Sequence, residues 1–245
     1  STAGVPLFGK LSDLYGRKPF LIAGILIFMA TSAAAGASQS IEQLIVFRGL
    51  QGLGAGMIMA NSFAVIGDLY PPAERGKYQG LFSGVFGIAS VLGPTLGGTL
   101  TDHVSWRAVF YINIPFGIAA LAVLWFGFPW SRPDEREHPI DYAGVALLAG
   151  AVVALLLALV WAGDQYAWTS PQILGLFATA AILTWLFALA ESRAADPVLP
   201  LSLFKNRVFV VASSVTFVSG IGMFGTITFM PMFLQGVLGA SATNS

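Results

Sequence analysis

Long apolar stretches alternate with short polar connections along the whole chain. Seven of them, at 18–37, 41–66, 78–101, 106–130, 142–163, 171–191 and 207–235, are long enough to cross a ~30 Å hydrocarbon core, which takes roughly 20 helical residues. A shorter apolar piece at 1–9 has neither an initiator Met nor the basic leader and cleavage site of a signal peptide. It reads as the tail of a helix whose start is absent, in a truncated chain. Glycine and proline inside the stretches are compatible with membrane helices, because neighbouring helices satisfy the freed backbone groups. The pattern predicts an all-α, polytopic membrane helix bundle.

Composition narrows the class further. Of 245 residues, 56% are hydrophobic and 10% charged, against roughly 25% charged in soluble domains. A single water-soluble core cannot hide that much apolar surface. The absence of cysteine excludes disulfides and thiolate metal sites, and two histidines are few for a zinc enzyme. No cofactor or metal is expected. Twelve basic residues balance twelve acidic ones, so no charge excess points to nucleic acid. The segments also lack any nucleophile–His arrangement that would suggest an enzyme.

Basic residues set the expected orientation. Lys10, Arg17, Lys18, Arg75, Lys77, Arg132, Arg136, Arg193, Lys205 and Arg207 all fall in alternate connections, which the positive-inside rule makes cytoplasmic. The other face carries only Arg107, and Arg48 lies within a segment. Trp106, Tyr111, Trp125, Trp130, Trp161, Tyr166 and Trp168 fit interfacial belts at the segment ends.

Candidate chemistry sits at four places. In the first cytoplasmic loop, Gly9 permits close helix approach, Gly16 supplies the positive dihedral of a tight turn, and Asp13 can pair with an Arg or a helix N-terminus. With Arg17 and Lys18 this loop forms a latch between helices. Arg48 lies seven residues into its segment, about 10 Å along the helix, with Gln51 on the same face and Gly52 leaving room beside it. The alternative for Arg48 is snorkelling to the interface. Ala89, Gly93 and Gly97 form a small face four residues apart, with Pro94 between them bending the helix, and Gly98 follows. In the last segment Phe217, Met223, Phe224, Thr228 and Met230 form a candidate substrate lining for apolar cations. The acidic stretch 131–141 has carboxylates and His138, but a solvated linker explains them without a metal. No segment carries an Asp or Glu near its middle, so a coupling carboxylate is expected outside this chain.

Gly9-x-Leu11-x-Asp13-x-x-Gly16-Arg17-Lys18 resembles the signature loop of the major facilitator superfamily. Leu44-x-x-x-Arg48-x-x-Gln51-Gly52-x-Gly54-Ala55 and Gly80 followed by Ala89-x-x-x-Gly93-Pro94-x-x-Gly97-Gly98 are similar to two motifs of its drug:proton antiporters. Ala89 stands where the family usually has Gly, and Leu14 where a basic residue is common. Trp106-Arg107-x-x-Phe110-x-Ile112-Asn113-x-Pro115 and Pro197-Val198-Leu199-Pro200-Leu201-x-Leu203-Phe204 look like the fourteen-helix group.

The resemblance implies five parts. Residues 1–130 are a first bundle lacking its first helix, 131–141 a cytoplasmic linker, and 142–191 an inserted helix pair. Residues 192–206 are a cytoplasmic loop, and 207–245 the first helix of a second bundle. It also implies proton-coupled multidrug efflux by alternating access at the cell membrane, associated with antibiotic resistance. Arg48 would serve proton exchange, and Gly93, Pro94, Gly97 and Gly98 gating and direction. The partners would be the lipid bilayer, a small molecule and protons, with nucleic acid excluded and any accessory efflux proteins left open. The alternatives are a transporter of one metabolite such as a sugar, peptide or siderophore, and a membrane sensor or scaffold without transport. A weak repeat, Gly9-x-Leu11-x-Asp13 then Arg17 against Gly98-x-Leu100-x-Asp102 then Arg107, falls on opposite faces, in agreement with the superfamily's inverted three-helix repeats.

Overall fold

In a computed structural model, residues 5–128, 141–194, 197 and 199–237 are described. Two compact units are distinguished, the first ending at Val198 and the second starting at Leu199. The first contains α1 (Val5–Tyr15), α2 (Arg17–Gly36), α3 (Ile41–Leu69), α4 (Pro72–His103), α5 (Ala108–Tyr111), α6 (Asn113–Gly127), α7 (Tyr142–Trp161) and α8 (Pro171–Glu191). The second contains a short 3₁₀ turn, Leu201–Lys205, and α9 (Arg207–Gly236). Among the described residues seven spans are long and apolar enough to cross a membrane, α5 and α6 together forming one of them.

The apolar stretches become helices, and local chemistry sets their ends. Between α1 and α2 the chain turns on Gly16 alone, whose φ of 92° is a region other residues rarely enter. The region expected to be a loop is therefore mostly helical: Gly9 and Asp13 lie on α1, and Arg17 and Lys18 open α2. Helix α4 starts at Pro72, before its apolar part, because Pro suits a first turn whose N–H needs no partner. It remains helical through Pro94. Pro115 has no N–H to offer the carbonyl of Tyr111 and its ring crowds that group, and the helix breaks at Ile112 into α5 and α6. Ser40, Asp141, Ser170 and Asn206 cap α3, α7, α8 and α9 through their side-chain oxygens. Asp141 accepts from the Gly144 N–H at 2.8 Å; the rest of the acidic linker lies outside the described residues, as does Trp130.

The first unit is built around α2. Its buried residues include Lys18, Leu21, Ile25, Ser32 and Ala35, spaced three, four or seven apart so that they share one face. Against α3 the approach is backbone to backbone. A Cβ added at Gly54 would sit 2.7 Å from the Phe28 nitrogen and 2.8 Å from the Gly24 carbonyl oxygen. On its other side α2 meets α5 and α6. The Tyr111 ring lies against Gly36, and Met29 fills the space over Gly117. Ser32 Oγ donates to the Phe110 carbonyl at 2.9 Å and accepts from Asn113 Nδ2 at 3.0 Å. Such internal pairing is what lets polar side chains sit between helices in hydrocarbon. Helices α7 and α8 pack on each other through faces containing Ala151, Ala154, Ala158, Ile173 and Ala180.

Candidate functional site

The latch is assembled from α1, α2 and α3. Arg17 forms an ion pair with Asp13 one turn earlier, and its Nε donates to Asp68 Oδ2 at 2.8 Å across to the last turn of α3. Its Nη1 also donates to Ser12 Oγ, and Ser12 donates to the Gly9 carbonyl. One guanidinium thus joins three helices, using the planar donor geometry that Lys lacks. Sequence reading missed Asp68 and Ser12. Counting basic residues ignores a lone acid at a helix end, and a serine fully buried against a guanidinium has no sequence mark.

Partial burial pushes the Asp13 carboxyl above its ordinary pKa of 3.8; Arg17 opposes this and Asp68 adds to it. Ionisation of Asp13 is therefore less favourable in the folded chain than in an unfolded one. Its charge lowers fold stability at pH values above 3.8 rather than adding to it. The charge is instead engaged in the ion pair with Arg17. Asp13→Asn is accordingly expected to leave the thermal unfolding midpoint at neutral pH no lower than the parent's, or slightly higher. Transport by the complete protein should fall by up to roughly fivefold, the factor that about 1 kcal/mol, the upper end for an exposed ion pair, represents. Parent-like flux in reconstituted vesicles would remove Asp13 from the mechanism.

Lys18 takes a separate path. It is 1% exposed, and its Nζ reaches the carbonyls of Trp125 and Phe128 at the end of α6. Arg75, in the first turn of α4, donates to the Gly67 and Tyr70 carbonyls at the end of α3. Both follow the preference of cations for helix C-termini.

Further along α3, Arg48 Nη1 donates to Gln51 Oε1 at 2.8 Å, and the guanidinium lies 5.9 Å from the Phe110 ring centroid. Gln51 is 3% exposed, whereas Arg48 is exposed. Among the described residues no ion pair of Arg48 with a carboxylate is present. The expected pairing of Arg48 with Gln51 is thus a direct hydrogen bond, with the half-buried Gly52 next in the chain.

The small face of α4 is open. Ala89, Gly93 and Gly97 line an open cavity of about 620 Å³ between α4 and α5–α6, with Asn113 and Phe116 on the opposite wall. Pro94 and Gly98 do not line it. A Cβ at Gly93, Gly97 or Gly98 would meet no atom within 4 Å, so the close helix contact expected at these glycines is not made among the described residues. Gly97→Val is then expected to change the unfolding temperature little, within the ±0.5 kcal/mol usual for sites that touch nothing. A large drop in calorimetry would reveal a neighbour there.

In the second unit Met230 borders a shallow recess on α9 with Gly222, Thr226 and Phe233; Met223 and Phe224 are exposed but do not line it. The Thr228 side chain lies outside what the structure describes. Among the described residues the candidate lining is thus a single helix surface.

Comparison with known proteins gives this arrangement a family. The chain is 47% identical over 245 residues to the multidrug transporter protein MdtP of Bacillus subtilis, with all of this chain and 45% of that protein covered. It is 42% identical to multidrug resistance protein 3 of the same species, covering 99% of this chain and 47% of the relative. Efflux pump FUS6 of Gibberella fujikuroi is 32% identical, with 100% and 45% covered. The chain spans about half the length of these curated relatives. The family model described as Major Facilitator Superfamily matches residues 1–245, and with its seven membrane-capable helices the chain belongs to that superfamily as an integral, multi-span membrane protein.

Proposed function

We propose that the complete protein exports small amphipathic or cationic compounds in exchange for protons, by alternating access at the cell membrane. The observation that carries this reading is the three-helix latch on Arg17. An ion pair with half-exposed acids, worth about 0–1 kcal/mol each, holds helix ends together yet breaks at little cost. That is what a gate between two conformations requires. The names of the relatives, multidrug transporter and efflux pump, support drug-like substrates.

In this reading the basic-rich end is cytoplasmic. Residues 1–130 belong to one bundle, 131–141 link it to the pair 142–191, and 192–206 lead to the first helix of a second bundle in 207–245. Arg48 serves proton coupling. Gly93, Pro94, Gly97 and Gly98 contribute to gating and direction, and Met223, Phe224, Thr228 and Met230 to substrate lining.

The test is flux in proteoliposomes holding the full-length protein under an imposed proton gradient. A lipophilic cationic dye should leave the substrate-loaded side only when the gradient is present, and collapse of the gradient should stop it. Gradient-independent dye movement overturns proton coupling. Failure to move any dye, with transport of a single sugar, peptide or siderophore, replaces the multidrug reading with a specific one.

A further inference from the structure

The weak sequence repeat set Arg107 against Arg17, but the structure sets it against Lys18. The shift along the chain that carries Gly9, Leu11 and Asp13 onto Gly98, Leu100 and Asp102 carries Lys18 onto Arg107. The two cations do the same work at opposite ends of one antiparallel helix pair. Lys18, in the first turn of α2, donates to the carbonyls of Trp125 at 3.0 Å and Phe128 at 2.6 Å, where α6 ends. Arg107, just ahead of α5 and α6, donates from Nη1 to the carbonyls of Gly36 at 3.3 Å and Ser38 at 2.9 Å, where α2 ends. The same shift carries Gly36 onto Trp125, so one accepting carbonyl of each pair corresponds as well.

A helix ends with four carbonyls that have no intrahelical donor and with the negative pole of its dipole. Each of these two helices receives its missing donor from a cation at the start of the other. Between the caps, Ser32, Asn113 and the Phe110 carbonyl tie the pair together. The Arg107 guanidinium is further held 4.7 Å from the Trp106 ring centroid.

We propose that Lys18 and Arg107 are symmetry-related positioning residues whose reciprocal caps keep α2 and α6 one rigid strut while the gates at either end open and close. The adjacent cations Arg17 and Lys18 then divide the labour. Arg17 pairs with half-exposed acids and can let go, whereas buried Lys18 supplies donors to helix-end carbonyls that have no intrahelical partner. Neither cap depends on which substrate is carried; only the transport readout below rests on the proposed function.

The experiment places spin-label pairs in the full-length protein at exposed positions, Pro19 with Phe126 at the Lys18 end and Ala37 with Phe116 at the Arg107 end. Lys18→Met keeps the stem and removes the donor. It should broaden the first distance distribution roughly twofold, as expected for local loosening, and leave the second unchanged. Arg107→Met should do the reverse, and Lys18→Arg and Arg107→Lys should restore the parent's widths. The maximal transport rate should fall in both Met variants at an unchanged half-saturating concentration, because both cations are engaged with helix-end carbonyls rather than offered to a cavity. If Lys18→Met does not insert, Lys18→Gln, which retains an amide donor at shorter reach, should show the same one-ended broadening. Unchanged widths, equal broadening at both ends, or a loosened end with the parent's rate overturns the assignment. A parent protein without gradient-driven flux overturns the proposed function instead, and the distances still decide the caps.

Discussion

Gly54→Val should abolish accumulation of the folded protein, whereas Gly49→Val on the same helix should be tolerated. The difference lies in what a side chain meets. At Gly54 a Cβ would fall 2.7 Å from the Phe28 nitrogen, 2.8 Å from the Gly24 carbonyl oxygen and 3.0 Å from the Phe28 Cα, while at Gly49 it meets nothing within 4 Å. All three atoms at Gly54 are backbone of α2, so no rotamer change relieves the clash. Overpacking of side chains costs about 1–3 kcal/mol, and a clash that must separate two helix backbones lies at or above the top of that range.

The cost falls on the element around which the first unit is built. Loss of the α2–α3 approach also displaces the surface that α5 and α6 use, including the Tyr111 ring seated on Gly36. At Gly49, by contrast, replacing glycine in a helix interior removes a backbone-entropy penalty. Expression level and detergent-solubilised thermal unfolding of the two full-length variants separate the outcomes. Equal midpoints for Gly54→Val and Gly49→Val would show that α2 and α3 do not cross at this glycine. Gly24→Val should fail in the same way, because its Cβ would approach Met57 Cβ at 2.9 Å and the Gly54 carbonyl at 3.3 Å.

The extent of each span was legible because a bilayer demands a continuous apolar run, and the run from 171 to 191 coincides with α8. Ends were legible where a residue type forces them, as Gly16 does through its positive φ. They were not legible where helix continues into polar sequence. Residues 10–15 satisfy their own backbone by extending α1, and 72–77 do so by extending α4. The latch was half legible: Asp13 and Arg17 are one turn apart, and that spacing is visible in the chain, but Asp68 joins them only through the packing of α3. Lys18 was grouped with the latch because it is next to Arg17. One residue along a helix turns a side chain by about 100°, and its acceptors are backbone carbonyls, which no side-chain pattern encodes. Gly54 stood in a recognisable motif, yet the reason for a glycine there is the α2 backbone opposite, which only the folded chain supplies.

Arg48→Ala is expected to eliminate gradient-driven efflux. The side chain lies about 10 Å along α3 from its start, where a cation is costly unless it faces water or an anion. Its described partners, the Gln51 amide oxygen at 2.8 Å and the Phe110 ring at 5.9 Å, are neutral. They orient the guanidinium without neutralising it, which, under the proposed function, leaves it able to pair with a coupling carboxylate. A cation beside a carboxylate favours the ionised form, and drawing the two apart allows the acid to take up a proton. Under the proposed function, alternation between these arrangements would exchange a proton in each conformational cycle.

The substitution has a second, structural effect that the experiment must separate. Removing the guanidinium leaves the buried Gln51 oxygen without its donor, at a cost of about 1–3 kcal/mol. Arg48→Lys keeps the charge and one donor but not the planar fork. It should retain a fraction of the flux and an altered pH dependence, while Arg48→Ala loses flux altogether. Paired Arg48→Ala and Gln51→Leu replacements remove both polar partners, so recovery of thermal stability without recovery of gradient-driven flux assigns the loss to coupling. If Arg48→Ala transports in proteoliposomes with the parent's dependence on the proton gradient, the residue has no part in coupling and its charge merely reaches the membrane surface.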